Sequence, residues 1–245
     1  MPHTMMLTGD VNLMNVATPD VPFRLVAPIF KQSDFVFSNL ECCFYTPPGE
    51  HALENEGFFA ASATGEALNL GGIQAVGIAN NVNYGEGAIK SSIARLDELG
   101  IPHTGAGANR DAAHAPVILE RRGLRVGFLQ RTSVYWPTNH EAAKNAAGVA
   151  VIRGHTAYQL PLHKTRVEIP PANRPGIPPE IITWADPQYL QRFKDDIAAL
   201  RARADIVVAS CHWGLHQEVL QYMIEIAHAA IDAGADVVMG HGPHH

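Results

Sequence analysis

The chain has 245 residues, 47% of them apolar and 17% charged, and its net charge is −6. This length supports one sizeable core, and the apolar share excludes a disordered chain. The negative net charge disfavours a nucleic-acid-binding protein, and no apolar run approaches the roughly 20 residues that a membrane span requires. The start of the chain has no basic stretch followed by a long apolar one, so we expect no secretory signal and a cytoplasmic location.

Short apolar runs alternate with helical patterns along the chain, which is typical of an α/β domain. Six runs predict strands that end in polar residues: Thr4 to Thr8, Phe35 to Phe37, Ile73 to Ala79, Leu124 to Leu129, Ile206 to Ala209 and Val237 to Met239. Apolar residues at helical spacing predict three helices: Ile89 to Leu99, Pro187 to Leu200 and Val219 to Ala230. The predicted fold class is therefore α/β.

Residues 132–185 differ from the rest because they are rich in proline and have little periodicity. Long irregular segments of this kind usually form a lid, a binding insertion or a mobile loop. A linker between two domains is the alternative, but the flanking strands have the character of a single sheet. We therefore expect one domain over residues 1–245 with a proline-rich insertion at about 132–185.

Polar residues that could bind a ligand follow the predicted strands. They are Asp10, Asn39, Glu41, Asn80, Asn81, Arg131, His212, His241 and His244. In open α/β sheets, ligands bind outside the carboxyl ends of the strands, so we expect these side chains to share one pocket. Taken singly, each has an ordinary explanation, since asparagine suits turns and a histidine can be a hydrogen-bonded core residue.

The residue types at these strand ends favour metal chemistry. Carboxylate, amide oxygen and imidazole together suit a divalent ion such as Mn, Fe or Zn. The set is large enough for two ions, and such a pair can clamp an anionic oxygen and activate a bound water at neutral pH.

Several short motifs give the chain a resemblance to a known family. In chain order they are Gly9-Asp10, Ser38-Asn39-Leu40-Glu41, Ile78-Ala79-Asn80-Asn81, Tyr84-Gly85, Gly105-Ala106-Gly107, His212-Trp213-Gly214 and Gly240-His241-Gly242-Pro243-His244. With these motifs the chain resembles the CapA, or poly-γ-glutamate capsule-synthesis, family of the calcineurin-like metallophosphoesterase superfamily. The resemblance covers nearly the whole chain apart from the proline-rich segment.

The resemblance implies a metallophosphoesterase-like α/β/β/α sandwich. Because the family continues with further strands after the last motif, we expect the C-terminal strands to be missing from this chain. The resemblance also implies roles: Asp10 binds the first metal, Glu41 bridges both, Asn81, His212 and His241 bind the second, and His244 returns to the first. Asn80 and His212 are the candidate catalytic residues, and Arg131, Asn39 and Tyr84 are the candidate substrate contacts.

The sequence departs from the family pattern at two positions. The superfamily's Asp-x-His motif is Asp10-Val11-Asn12 here, which weakens the first metal site. The family's Asn-Asn-His motif is Asn80-Asn81-Val82, so valine stands where the general acid is expected. His103 and His140 are the candidate replacements for that acid.

The function expected from these features is that of a CapA-like, metal-dependent hydrolase acting on an amide or ester of γ-glutamyl type. Its substrate would be a small or polymeric anion, which Arg131 could contact; a surface salt bridge is the alternative role for this arginine. Two other functions stay open. One is a non-catalytic accessory role in capsule polymer synthesis or export, and the other is a metal-dependent phosphoesterase.

Overall fold

A computed structural model of the chain describes residues 2–49, 57–138, 140–159, 179–214 and 217–243. The strands in this part are β1 (Met5–Val11), β2 (Phe35–Leu40), β3 (Cys43–Phe44), β4 (Phe59–Ala60), β5 (Ala75–Gly77), β6 (His103–Thr104), β7 (Ala106–Gly107), β8 (Val117–Arg121), β9 (Leu124–Thr132), β10 (Gly148–Val149), β11 (Gly154–Gln159), β12 (Glu180–Ala185), β13 (Ile206–His212) and β14 (Val237–His241). The helices are α1 (Ala27–Phe30), α2 (Glu66–Gly71), α3 (Glu86–Leu99), α4 (Arg110–His114), α5 (Pro187–Arg201) and α6 (Gln221–Asp232). The predicted α/β class is confirmed.

Two four-stranded sheets form the centre of the molecule. The first sheet has the order β1-β2-β5-β6, and its strands are parallel. The second sheet has the order β14-β13-β9-β8; β9, β13 and β14 are parallel, and β8 runs antiparallel to β9. Each of the six predicted strands lies in one of these sheets. The parallel strands of each sheet therefore end at one common edge.

The apolar residues of the strands separate into layers because successive side chains point to opposite faces. Phe35 and Phe37 of β2 lie in a core that also contains residues of the second sheet. Within this core the rings of Phe37 and Phe128 stack at a centroid distance of 4.7 Å. The intervening Val36 lies in a different core, which it shares with buried residues of α2 and α3. The two sheets thus pack face to face, with helices covering the outer face of the first.

The outer face of the second sheet is covered by α5 and α6. Val207 of β13 packs in a core with Ile197 of α5 and Ile226 of α6. The start of α5 follows from its sequence, since the Asp186 side chain accepts bonds from the N–H groups of the first turn and Pro187 occupies the first helical position. The predicted helix over 187–200 is therefore confirmed, and its packing places β13 and its terminal histidine.

The proline-rich segment contains strands that the sequence pattern did not predict. Strands β11 and β12 pair antiparallel, and β10 pairs with β7. Much of the segment, residues 160–178, lies outside the described residues. None of these three strands contains proline: β10 has only two residues and β11 has few apolar ones, whereas Ile181 to Trp184 of β12 is a β-branched and aromatic run that could have predicted a strand.

The longest helix of the described part, α5, has 15 residues, fewer than the roughly 20 that a bilayer span requires. Among the residues that the structure describes, no helix combines the length and apolar character needed to cross a membrane.

Candidate metal centre

Three of the predicted ligands meet where the two sheets adjoin. Asp10 lies near the end of β1, and His212 and His241 are the last residues of β13 and β14. His241 Nδ1 is 3.1 Å from Asp10 Oδ1, and His212 Nδ1 is 4.0 Å from the same oxygen. One candidate ligand atom from each of the three residues lies within 4.8 Å of the others. Carboxylate and imidazole ligands at these separations fit one divalent ion of the Mn, Fe or Zn type.

His212 also faces a second group of predicted ligands. Its Nε2 atom is 2.8 Å from Asn81 Oδ1 and 3.8 Å from Glu41 Oε1. These three residues and Trp213 help to line a cavity of about 210 Å³. The predicted first-metal ligand His244 lies outside the described residues. The structure therefore brings Asp10, Glu41, Asn81, His212 and His241 together at one edge of the sheets.

A larger cavity of about 580 Å³ opens on the other side of this cluster. Its lining includes Asp10, His241, Trp213 and Pro243. Trp213 lines both cavities. Its indole packs closely on Gly240, since a Cβ atom added at position 240 would lie 2.6 Å from Nε1 of Trp213. The cluster is thus accessible from two spaces large enough for water and for part of a ligand.

The two carboxyl groups of the cluster have opposite electrostatic environments. Burial raises the pKa of Glu41 to about 8, and the charge of Asp10 and a hydrogen bond with it add to the effect. Burial also raises the pKa of Asp10, but hydrogen bonds from His241 and Asn39 outweigh it and hold this pKa well below its usual range. Two adjoining carboxyl groups resist simultaneous ionisation unless a cation lies between them. The pair is therefore suited to a cation.

Amide side chains hold Asp10 in place. Asn39 Nδ2 donates to Asp10 Oδ1 at 2.7 Å, and Asn39 Oδ1 accepts from Gln130 Nε2 at 2.8 Å. Asn80 Nδ2 donates to Asn39 Oδ1 at 3.2 Å and to the Leu40 carbonyl at 2.8 Å. Asn39 and Asn80 are both fully buried. Asn39 thus orients a ligand, and Asn80, predicted as catalytic, is bonded to the surrounding protein and supports Asn39.

Two residues of the site escaped the sequence interpretation. Gln130 lies in β9 and Ser210 in β13, and both reach His241 Nε2, at 3.1 Å and 2.9 Å. Gln130 directly follows the predicted strand Leu124 to Leu129, so its strand-end position was a usable signal. Ser210 lies two residues before His212 in the same strand. Because side chains alternate between the two faces of a strand, this spacing predicts that Ser210 and His212 share a face.

The partners of His241 accommodate either neutral form of its imidazole. Gln130 Oε1 accepts from the Ala79 N–H at 2.7 Å, so its Nε2 must be the donor toward His241. In this arrangement His241 carries its proton on Nδ1 and donates to Asp10. With Nδ1 given to a metal, the proton belongs on Nε2, where the Ser210 hydroxyl can accept it, and the Gln130 amide then donates to Asn39 Oδ1 instead of to the ring. The residues present therefore fit a metal ligand at this position.

Arg131 points away from the cluster. Because side chains alternate along β9, Gln130 faces the first sheet and Arg131 faces α5. Its guanidinium is 1% exposed, bonds Asp196 Oδ2 at 2.5 Å and lies 5.8 Å from the centre of the Phe193 ring. Arg131 was predicted to contact the substrate, but it forms a buried ion pair with Asp196 of α5. We therefore leave Arg131 out of the proposed substrate site.

Tyr84 lies beside the cluster without lining either of its cavities in the described residues. Its ring meets the edges of Trp136 and His140, and it lines a separate cavity with Glu86 and Glu141. Tyr84 therefore supports the loop that presents Asn81 and makes no described contact with the candidate ligands.

The candidate replacement acids do not reach the cluster. His140 is buried, accepts from the Trp136 N–H through Nδ1 at 3.0 Å and lies 3.0 Å from the Asn83 carbonyl through Nε2. Burial lowers the pKa of His140 to about 4, so it is neutral near pH 7. His103 lies in β6, where its nearest acidic partner is Asp97. Val82 is itself buried, so a histidine placed there would meet the protein interior.

The departure from the superfamily's Asp-x-His motif at position 12 also has a local explanation. Asn12, which stands where the superfamily has histidine, is exposed. Its Oδ1 accepts from the Met14 N–H at 2.8 Å and so closes a turn. Asn12 therefore takes no described part in the cluster.

Comparison with known proteins supports the resemblance seen in the motifs. The family described as "Bacterial capsule synthesis protein PGA_cap" matches residues 4–245. Capsule biosynthesis protein CapA of Bacillus anthracis is 26% identical over an alignment of 258 positions, gaps included, which covers 98% of this chain and 54% of that protein. PGA biosynthesis protein CapA of Bacillus subtilis (strain 168) is 25% identical over 231 residues, covering 92% of this chain and 51% of the relative.

A third relative, from Mycobacterium tuberculosis (strain CDC 1551), is named "Probable polyglutamine synthesis accessory protein". It is 28% identical over 180 residues, covering 69% of this chain and 38% of that protein. The chain thus spans about half the length of the CapA proteins that it resembles. Since the family match includes every strand end that carries a candidate ligand, the chain belongs to the bacterial capsule synthesis protein (PGA_cap) family.

Proposed function

We propose that the chain is a metal-dependent hydrolase of capsule or poly-γ-glutamate metabolism, acting on an amide or ester of γ-glutamyl type. The observation that carries the proposal is the convergence of Asp10, His212 and His241 within 4.8 Å between two cavities. The link to capsule polymers is supported by family membership and by the names of the relatives.

The proposed centre holds two ions. Asp10, His241 and His212 would hold one, and Glu41 and Asn81 would extend the site toward a second, with His244 as a further proposed ligand. A bound divalent ion supplies an activated water and a positive charge for the developing oxyanion. The two-sheet arrangement with outer helices supports the finer proposal of a metallophosphoesterase-like sandwich.

The chain's own groups set the geometry of this centre. Asn39 fixes the Asp10 carboxylate through its 2.7 Å bond, and Asn80 fixes Asn39. His212 lies between the two ligand groups, with one ring nitrogen toward each. Trp213 lines both cavities beside the cluster and so limits the space available to a ligand there.

The substrate is proposed to be a small or polymeric anion. Among the described residues that line the two cavities there is no lysine or arginine. An anionic group entering here would therefore depend on the metal centre for positive charge.

A comparison of two substrates tests the hydrolase proposal. With added Mn²⁺, we expect the protein to hydrolyse an activated γ-glutamyl ester and to cleave the matching γ-glutamyl amide far more slowly, by the intrinsic difference between the two bonds and by the further ~10²–10⁴-fold that a positioned general acid would contribute. The reason is that an amide leaving group must be protonated, and neither His103 nor His140 reaches the cluster. The same reactions with EDTA in place of Mn²⁺ are the control.

Efficient amide cleavage would contradict the absence of a positioned acid. Metal binding without turnover of either substrate would overturn the hydrolase proposal in favour of an accessory role. That alternative is favoured by the buried Val82 at the family's histidine position and by the name of the mycobacterial relative. Selective turnover of phosphate esters in the same panel would indicate a phosphoesterase instead.

A further inference from the structure

We propose that Gln130 is a positioning residue that joins the two sheets and sets the spacing between the two halves of the metal centre. This inference rests on the proposed metal site. One half of the site, with Asp10, Glu41 and Asn81, follows strands of the first sheet. The other half, with His212 and His241, ends strands of the second.

Gln130 crosses from one sheet to the other through hydrogen bonds. It belongs to β9 of the second sheet and is fully buried. Its Oε1 accepts from the backbone N–H of Ala79 at 2.7 Å, just beyond the end of β5. Its Nε2 donates to Asn39 Oδ1 at 2.8 Å, in β2. Asn39 belongs to a strand of the first sheet and Ala79 follows another, so one side chain of the second sheet is bonded to two segments of the first.

Gly77 leaves the space through which this side chain passes. A Cβ atom at position 77 would lie 2.3 Å from both Cδ and Oε1 of Gln130. Gly77 does not have a positive φ, so its backbone conformation does not require glycine. Glycine at position 77 therefore provides the space that the Gln130 amide occupies.

The same amide is connected to ligands of both halves of the site, to one directly and to the other through Asn39. Through Asn39 it leads to Asp10 Oδ1, since Asn39 Nδ2 donates to that oxygen at 2.7 Å. Directly, its Nε2 atom lies 3.1 Å from Nε2 of His241. The backbone bond of Ala79 fixes which end of the amide faces these partners. Gln130 therefore orients the carboxylate of one half while it adjoins the imidazole of the other.

A residue that only fills the core would behave differently. Loss of a core residue lowers stability, but it leaves the metal affinity of the folded molecules unchanged. Loss of a residue that orients metal ligands typically weakens metal binding by about 10–100-fold. Metal affinity measured on folded protein therefore separates the two roles.

The experiment measures Co²⁺ and Mn²⁺ binding by titration calorimetry and the visible spectrum of bound Co²⁺. The variants are Gln130→Ala, Gly77→Ala and the double variant, and Gln130→Met replaces Gln130→Ala if the latter does not fold. We expect about 10–100-fold weaker binding and an altered Co²⁺ spectrum in each single variant. In the Gln130→Ala background, Gly77→Ala should cause no further loss, because the clashing amide is gone.

Gln74→Ala is the matched control, since Gln74 precedes β5 and bonds the Ser33 carbonyl instead of a ligand. Unchanged affinity and spectrum in Gln130→Ala and Gly77→Ala, with the wild type binding metal, would overturn this inference alone. Failure of the wild type to bind either ion would instead overturn the proposed metal site. Equal losses in Gln74→Ala and Gln130→Ala would also count against a specific role of Gln130.

Discussion

Asp10→Ala is expected to remove tight divalent-metal binding. Asp10 is the carboxylate in the group of three candidate ligands, and its Oδ1 lies within 4.0 Å of a ring nitrogen of both histidines. The substitution should therefore weaken metal binding by more than the roughly 10–100-fold that the loss of a supporting residue causes. Elemental analysis of protein equilibrated with Mn²⁺ or Zn²⁺, together with titration calorimetry, measures the effect.

The matched control is Asp20→Ala, which removes an exposed carboxylate from the same N-terminal part of the chain. Circular dichroism of both variants confirms that folded protein is compared. Equal metal content in the two variants would contradict the assignment of Asp10. Retention of one ion in Glu41→Ala, with both lost in Asp10→Ala, is the result expected if Glu41 serves mainly the second ion.

Asp196→Ala is expected to lower the free energy of unfolding by about 3 kcal/mol, near the low end for breaking a buried ion pair. The Arg131 guanidinium is 1% exposed and pairs with Asp196, so the substitution leaves a buried charge without its carboxylate. The low end applies because the Asp196 side chain is itself 31% exposed. Urea unfolding measures the change.

Asp195→Ala is the control for this prediction. Asp195 is next to Asp196 in the sequence, but its carboxylate is exposed and accepts a hydrogen bond from Gln191 on the same helix. Its effect should stay within about 0.5 kcal/mol. Metal affinity and ester hydrolysis should be unchanged in both folded variants. A raised KM in Asp196→Ala without loss of stability would indicate that Arg131 does contact the substrate.

The sequence was sufficient to predict six strands of the two central sheets and most of the cluster. Asp10, His212 and His241 could be found because polar residues at the carboxyl ends of parallel strands meet at one edge. The apolar pattern also indicated α5, whose Asp186 cap and Pro187 have strong positional preferences. These features depend on local chemistry and on the geometry common to parallel sheets.

The directions of neighbouring side chains were harder to predict. Strand β9 continues through Thr132, so Gln130 and Arg131 alternate instead of both entering the site. The predicted strand ended three residues earlier, at Leu129, and that difference placed Arg131 with the ligands. The role of Gln130 depends on the absence of a side chain at Gly77, on a strand of the other sheet, and no pattern within β9 indicates it.

The location of a bound metal would show whether Asp10, His212 and His241 form a metal centre. Crystals of the protein soaked in Mn²⁺ or Zn²⁺ would be measured above and below the absorption edge of the metal. We expect an anomalous difference peak bounded by Asp10, His212 and His241, with any second peak on the side of Glu41 and Asn81. Peaks confined to exposed carboxylates elsewhere, with none between these three residues, would contradict it.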